Sequence, residues 1–229
     1  MEVNNSSEIE EVKNLTIVER FKYFFTNPNK LFGEYKIKPT WLVKLLIICA
    51  ISIIYTILLK NLTFGPQVDM IIQQTPDMSK EQAEATIAFM NSPAMTGIAV
   101  GAALVMAVIA VFLTPLIYYG LIALFGGKTS YMRVVAVYTL AYIPYYIGEL
   151  ASLAFAYFTN NYESLLQPQL MDVMFNRLGL FVIWQVLLLV FGFSKIAGLK
   201  LSKSAIIVAI MWIIATGISL IPVFMNRMF

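Results

Sequence analysis

Five long apolar runs take up most of this chain and decide what it can fold into: residues 41–59, 94–125, 134–158, 178–193 and 204–223. A bilayer core needs roughly 20 apolar residues of helix to be crossed, and each run meets or approaches that length. The expected fold is all-α: a polytopic membrane protein with a bundle of five transmembrane helices over 41–223, preceded by a segment 1–40. Inside the runs the only ionisable charges are Lys44, near the start of the first, and Glu149, deep in the third. No stretch of the 229 residues is left for a separate soluble catalytic domain.

Basic residues predict the orientation, because cytoplasmic flanks retain Lys and Arg during insertion. With the N-terminus inside, the cytoplasmic segments hold 12 of the 16 basic side chains, from Lys13 to Lys44, then Lys128 and Arg133, then Lys195, Lys200 and Lys203. The opposite face holds 4: Lys60, Lys80, Arg177 and Arg227. The expectation is an integral membrane protein, N-terminus cytoplasmic and C-terminus outside. The first 20 residues are acidic and have no apolar core of the kind a cleaved signal carries, so the first span is expected to anchor the chain.

Segment 1–40 changes character along its length. Glu2, Glu8, Glu10, Glu11 and Glu19 dominate its start, whereas residues 20–44 carry six basic side chains against Glu34 alone. Lys22, Phe24, Phe25, Lys30, Phe32, Lys36 and Lys38 interleave charge with aromatic rings, which is the composition of an amphipathic segment lying on anionic headgroups. An orienting flank with no further role fits the same residues. Ser7 with Glu10 reads as a capping box opening a helix to about Phe25, ended by the turn at 26–29. Nucleic-acid binding is excluded as a reading, since the basic residues lie against a membrane and no nucleic-acid module accompanies them.

Histidine is absent, and Cys49 is the one cysteine. That removes His-rich zinc sites and Ser-His or Cys-His nucleophile pairs, and excludes a disulfide within one chain. Asp69, Asp77 and Asp172 are expected in loops, so no intramembrane aspartyl dyad forms. Gly126-Gly127-Lys128-Thr129-Ser130 contains the end of a phosphate-loop pattern, but Ile122 stands where its first glycine belongs. It reads as a tight polar turn. No catalytic, cofactor or metal site is expected.

The one large loop, 60–93 on the outer face, has Gly65-Pro66 and Thr75-Pro76 as expected breaks, and Ser79 with Gln82 caps a helix to about Asn91. That helix reads either as a cover over the bundle or as a docking site. Span two, 32 residues or about 48 Å as helix, exceeds a core of about 30 Å, so it must tilt, kink at Pro115 or protrude.

In span three, Tyr138, Tyr142, Tyr145, Glu149 and Ser152 follow steps of 4, 3, 4 and 3, which puts them on one helix face. An intramembrane carboxyl should face protein or water. Gln185 in span four and Thr216 in span five lie at similar depth, so all seven are candidates for one polar cluster. Such a cluster serves either as a proton, ion or headgroup site or as interhelical glue, with a neutral glutamate hydrogen-bonded to its neighbours.

Phe24-Phe25-Thr26-Asn27-Pro28, then Leu31-Phe32 and Lys38-Pro39-Thr40-Trp41, resemble the start of the bacterial branch of the Yip1 domain family. Gly126-Gly127-Lys128, Ala141-Tyr142-Ile143-Pro144 and the stretch from Gly192 to Lys203 agree. The resemblance covers roughly residues 24–223. It implies five helices with a cytoplasmic N-terminus and a non-catalytic role through contacts with lipid, with other membrane proteins such as ABC-type exporters, or with a second copy. The Asp-Leu-Tyr-Gly-Pro motif of the eukaryotic members is missing, so a small GTPase is not implied as a partner. The alternative class is a small transporter or channel built on the cluster around Glu149.

Overall fold

The computed structural model describes residues 15–225. Ser7 and Glu10 therefore lie outside the described residues. Among the described residues, ten α-helices follow in chain order: α1 Ile17–Thr26, α2 Pro28–Tyr35, α3 Leu42–Gln74, α4 Lys80–Met90, α5 Pro93–Leu124, α6 Tyr131–Thr159, α7 Glu163–Leu166, α8 Leu170–Arg177, α9 Leu180–Ala197 and α10 Leu201–Met225. Five of them, α3, α5, α6, α9 and α10, are long and apolar enough to cross a membrane. Helix is the element that lipid permits, because it satisfies every backbone group within its own segment.

The centre of the bundle is α6, which packs on α9, α3 and α5. Residues 134–141 are buried without a break. A helix covered on all sides is an interior helix, whereas α3 and α5 keep broad apolar faces outward for lipid, as at Leu46, Val105 and Leu113. Polar bonds tie neighbours at several levels: the Ser204 hydroxyl donates to the Val190 carbonyl at 2.7 Å, and the Tyr131 hydroxyl to the Phe112 carbonyl at 2.6 Å.

Two expectations are corrected. Gly65-Pro66 does not break the chain: α3 runs through Pro66 as 33 residues, of which the second half projects past the apolar run. Proline there removes only the bond to the Leu62 carbonyl, and side chains brace the same turns, Thr63 donating to the Leu59 carbonyl at 2.8 Å and Gln67 to the Thr63 hydroxyl at 3.0 Å. Asp69 is consequently helical rather than in a loop, and so, independently, is Asp172, which accepts from the Gln169 backbone amide at 2.8 Å in the first turn of α8. The Ser79–Gln82 capping box does open α4, and α5 continues unbroken through a buried Pro115.

Candidate functional site

Two sets of residues carry chemistry, one in the N-terminal hairpin and one along the middle of the central helix. At the end holding the turns at 36–41, 125–130 and 198–200, called here the basic end, α1 and α2 form a helical hairpin on the bundle. Thr16 starts α1 through a reciprocal box, its hydroxyl accepting from the Glu19 amide and the Glu19 carboxylate accepting from the Thr16 amide at 2.8 Å. Those hydrogen bonds hold the Glu19 carboxyl below its usual range. Asn27 caps α2, with Pro28 at its first position.

The hairpin is closed by Arg20, whose Nε donates to Glu34 Oε2 at 3.1 Å while Nη2 reaches Oε1. Glu34 is buried, so this pair is shielded more than an ordinary surface bridge. Next to it the Lys44 ammonium donates to Thr40 Oγ1 at 2.8 Å and stands over the Tyr35 ring at 4.6 Å. Burial pushes the Tyr35 phenol well up, so it stays neutral. Phe24 and Phe25 lie on Trp184 of α9, with ring centroids 5.2 and 4.6 Å away. Phe32, fully buried, sits against Gly192, eight residues further along the same helix. The hairpin thus climbs about 12 Å of α9 rather than lying across its end. Lys22, Lys36 and Lys38 are exposed, and Lys30 stands over the Tyr23 ring at 5.1 Å.

The second set is the aromatic column of α6. Tyr138 stacks on Tyr142 at 4.0 Å, and Tyr142 on Tyr145 at 5.6 Å. Tyr118 of α5 joins Tyr138 at 6.2 Å, and Tyr146 joins Tyr145 at 5.6 Å. Tyr145 and Tyr55 both place a phenol beside the Glu149 carboxyl, and the Arg177 charge reaches Glu149 and Tyr145. Arg177 is itself moored to α10, its Nη2 donating to the Ala215 carbonyl at 3.2 Å and its Nε to the Ser219 hydroxyl at 3.3 Å.

The structure therefore brings Tyr138, Tyr142, Tyr145 and Glu149 together. Ser152 lies apart, in a crevice of about 310 Å³ that it shares with Asn161, Asn176 and Phe181. Gln185 and Thr216 are buried, but the Thr216 hydroxyl donates to Trp212 of its own helix, and among the described residues no hydrogen bond joins either to Glu149. Tyr55, Tyr146 and Arg177 are the members that the sequence did not reveal. Tyr55 is a single phenol in an apolar run, and Arg177 stands outside every run, so only the packing of α3, α6 and α8 shows their place.

A family model, the Yip1 domain, matches residues 22–222. The chain belongs to the Yip1 domain family. The matched stretch takes in the hairpin from Lys22 onward as well as the greater part of the five apolar helices. It is a multi-pass membrane protein. No curated protein and no solved structure matches the chain.

Proposed function

We propose that this Yip1 protein is a non-catalytic membrane adaptor that meets a partner protein or lipid through its N-terminal hairpin. The carrying observation is the division of α1–α2 into two faces. Leu31, Phe32 and Tyr35 are buried against the bundle, whereas Ile17, Val18, Phe21 and Phe25 form an exposed apolar stripe on α1 at helical spacing. A stripe of that kind is covered by lipid or by another membrane protein, an ABC-type exporter being the class the family likeness suggests. The absence of histidine and the single cysteine favour the non-catalytic reading.

A photoreactive residue at position 21 tests it in intact membranes. The expected adducts join position 21 to a second membrane protein or to lipid. Adducts confined to the protein's own bundle would overturn the reading.

Glu149 supports a second reading, a small transporter, because a carboxyl and a guanidinium lie near each other within an apolar bundle. The stacked tyrosines favour the adaptor, since rings fill the space along which a solute would pass.

A further inference from the structure

The turns at 125–130 and 198–200 are locked to each other at the basic end. The Lys128 amide donates to the Ala197 carbonyl at 3.1 Å, and the Lys203 ammonium to the Phe125 carbonyl at 2.9 Å. A Cβ on Gly127 would meet Ile122 Cγ2 at 2.7 Å and Leu199 Cγ at 3.0 Å, so the approach requires glycine there. This contact gathers Lys128, Lys200 and Lys203 on one surface, with Arg133 in the first turn of α6 and Lys195 in the last turn of α9. Residues 125–133 and 194–204 contain no Asp or Glu. Among the described residues the ion pairs are Arg20–Glu34 and Lys80–Glu84, so none of the five cations has a carboxylate partner.

Such a cluster repels itself unless an anion is shared among its members. Its surroundings say which anion. Leu124 at 81 %, Leu201 at 49 % and Met132 at 41 % exposure stand in and beside the same turns, and apolar side chains so placed belong in acyl chains. The cations therefore lie where hydrocarbon gives way to headgroups. The α6 start adds to the field: Ser130 makes no side-chain cap there, and the 29-residue helix turns its positive dipole end toward the patch.

We propose that this surface binds the phosphate of an anionic phospholipid, of the phosphatidylglycerol or cardiolipin class, in the leaflet around the basic end. The site is separate from the hairpin and does not depend on the adaptor reading.

The test is lipid retention by the full-length protein in mild detergent, offered equal phosphatidylglycerol and phosphatidylcholine and read by native mass spectrometry. Wild type should keep phosphatidylglycerol preferentially. The preference should fall by about fivefold per lysine removed in K128Q/K195Q/K200Q, and remain in K80Q, an exposed lysine on α4 away from both the hairpin and these turns. Lys200→Gln alone, an exposed side chain, should show one such step, so the answer stands even if the triple variant fails to fold. Equal retention of both lipids by wild type, an undiminished preference in Lys200→Gln and in the triple variant, or full displacement by equimolar soluble glycerol phosphate would overturn the proposal.

Discussion

Phe32 of α2 fills the space that a side chain at Gly192 of α9 would need. A Cβ there would come within 3.2 Å of the Phe32 ring and would also collide with Val137 of α6. Three helices thus meet at one residue without a side chain, and that close approach seats the hairpin on the bundle.

Gly192→Ala should lower stability by about 1–3 kcal/mol, because neither a buried ring nor a β-branched neighbour on a central helix moves freely. Thermal unfolding in detergent reads it. Adding Phe32→Leu should recover only part, since Val137 remains in the way. Full recovery would show that the ring alone sets the spacing.

Arg20→Gln leaves the buried Glu34 carboxylate without its cation and should cost about 1–3 kcal/mol. The double variant Arg20→Gln/Glu34→Gln should be more stable than Arg20→Gln alone. Hydrogen exchange at the amides of α1 and α2 distinguishes the cases, with faster exchange confined to the single variant.

At the start of α1, Thr16→Ala should fray the helix by about 1 kcal/mol. Glu19, held below its ordinary range by the Thr16 bonds, adds stability that is fully present above its unfolded value of 4.5. That contribution is lost as pH falls through the lower folded value. The protection of the α1 amides, taken relative to intrinsic exchange at each pH, should therefore fall in acid in wild type, and Glu19→Gln should remove this pH dependence.

Replacing Glu149 separates its two possible roles. As glue, Glu149→Gln keeps size and hydrogen bonding and should retain wild-type thermal stability and cellular activity, whereas Glu149→Leu should be less stable because Tyr55 and Tyr145 lose their partner. A stable but inactive Glu149→Gln would instead favour transport. Arg177→Gln should weaken the mooring of α8 to α10 under either role, by about 1–2 kcal/mol.

For orientation, cysteines at Lys80 and Lys200 in a Cys49→Ala background should label from opposite faces of intact cells, with Lys80 reachable from outside. Equal labelling of both from outside would reverse this expectation.

The spans were legible in the sequence because a bilayer demands length and apolarity, both of which are local properties of the runs around Leu46, Val105 and Leu189. The α4 cap was equally local, a serine and a glutamine three residues apart. Pro66 misled because its cost is only one backbone bond, and the bracing Thr63 and Gln67 side chains carry no apolar signal. The candidate site was half legible. Helical spacing within α6 aligned Tyr138, Tyr142, Tyr145 and Glu149, but matching depth with Gln185 and Thr216 says nothing about which helices are neighbours. The true companions, Tyr55 and Arg177, come from elements that meet α6 only through tertiary packing, as Phe32 meets Gly192.

The uninterrupted course of α3 has a mechanical consequence. One helix of 33 residues joins the start of the span, beside Lys44 and Tyr35, to Gln74 at the far end, a lever of about 50 Å whose helical course is unbroken. A tilt of about 10° about its Lys44 end carries Gln74 sideways by about 9 Å. The two ends of α3 then keep one separation as the helix tilts, which paired spin labels at positions 43 and 74 would register as a single narrow distance distribution.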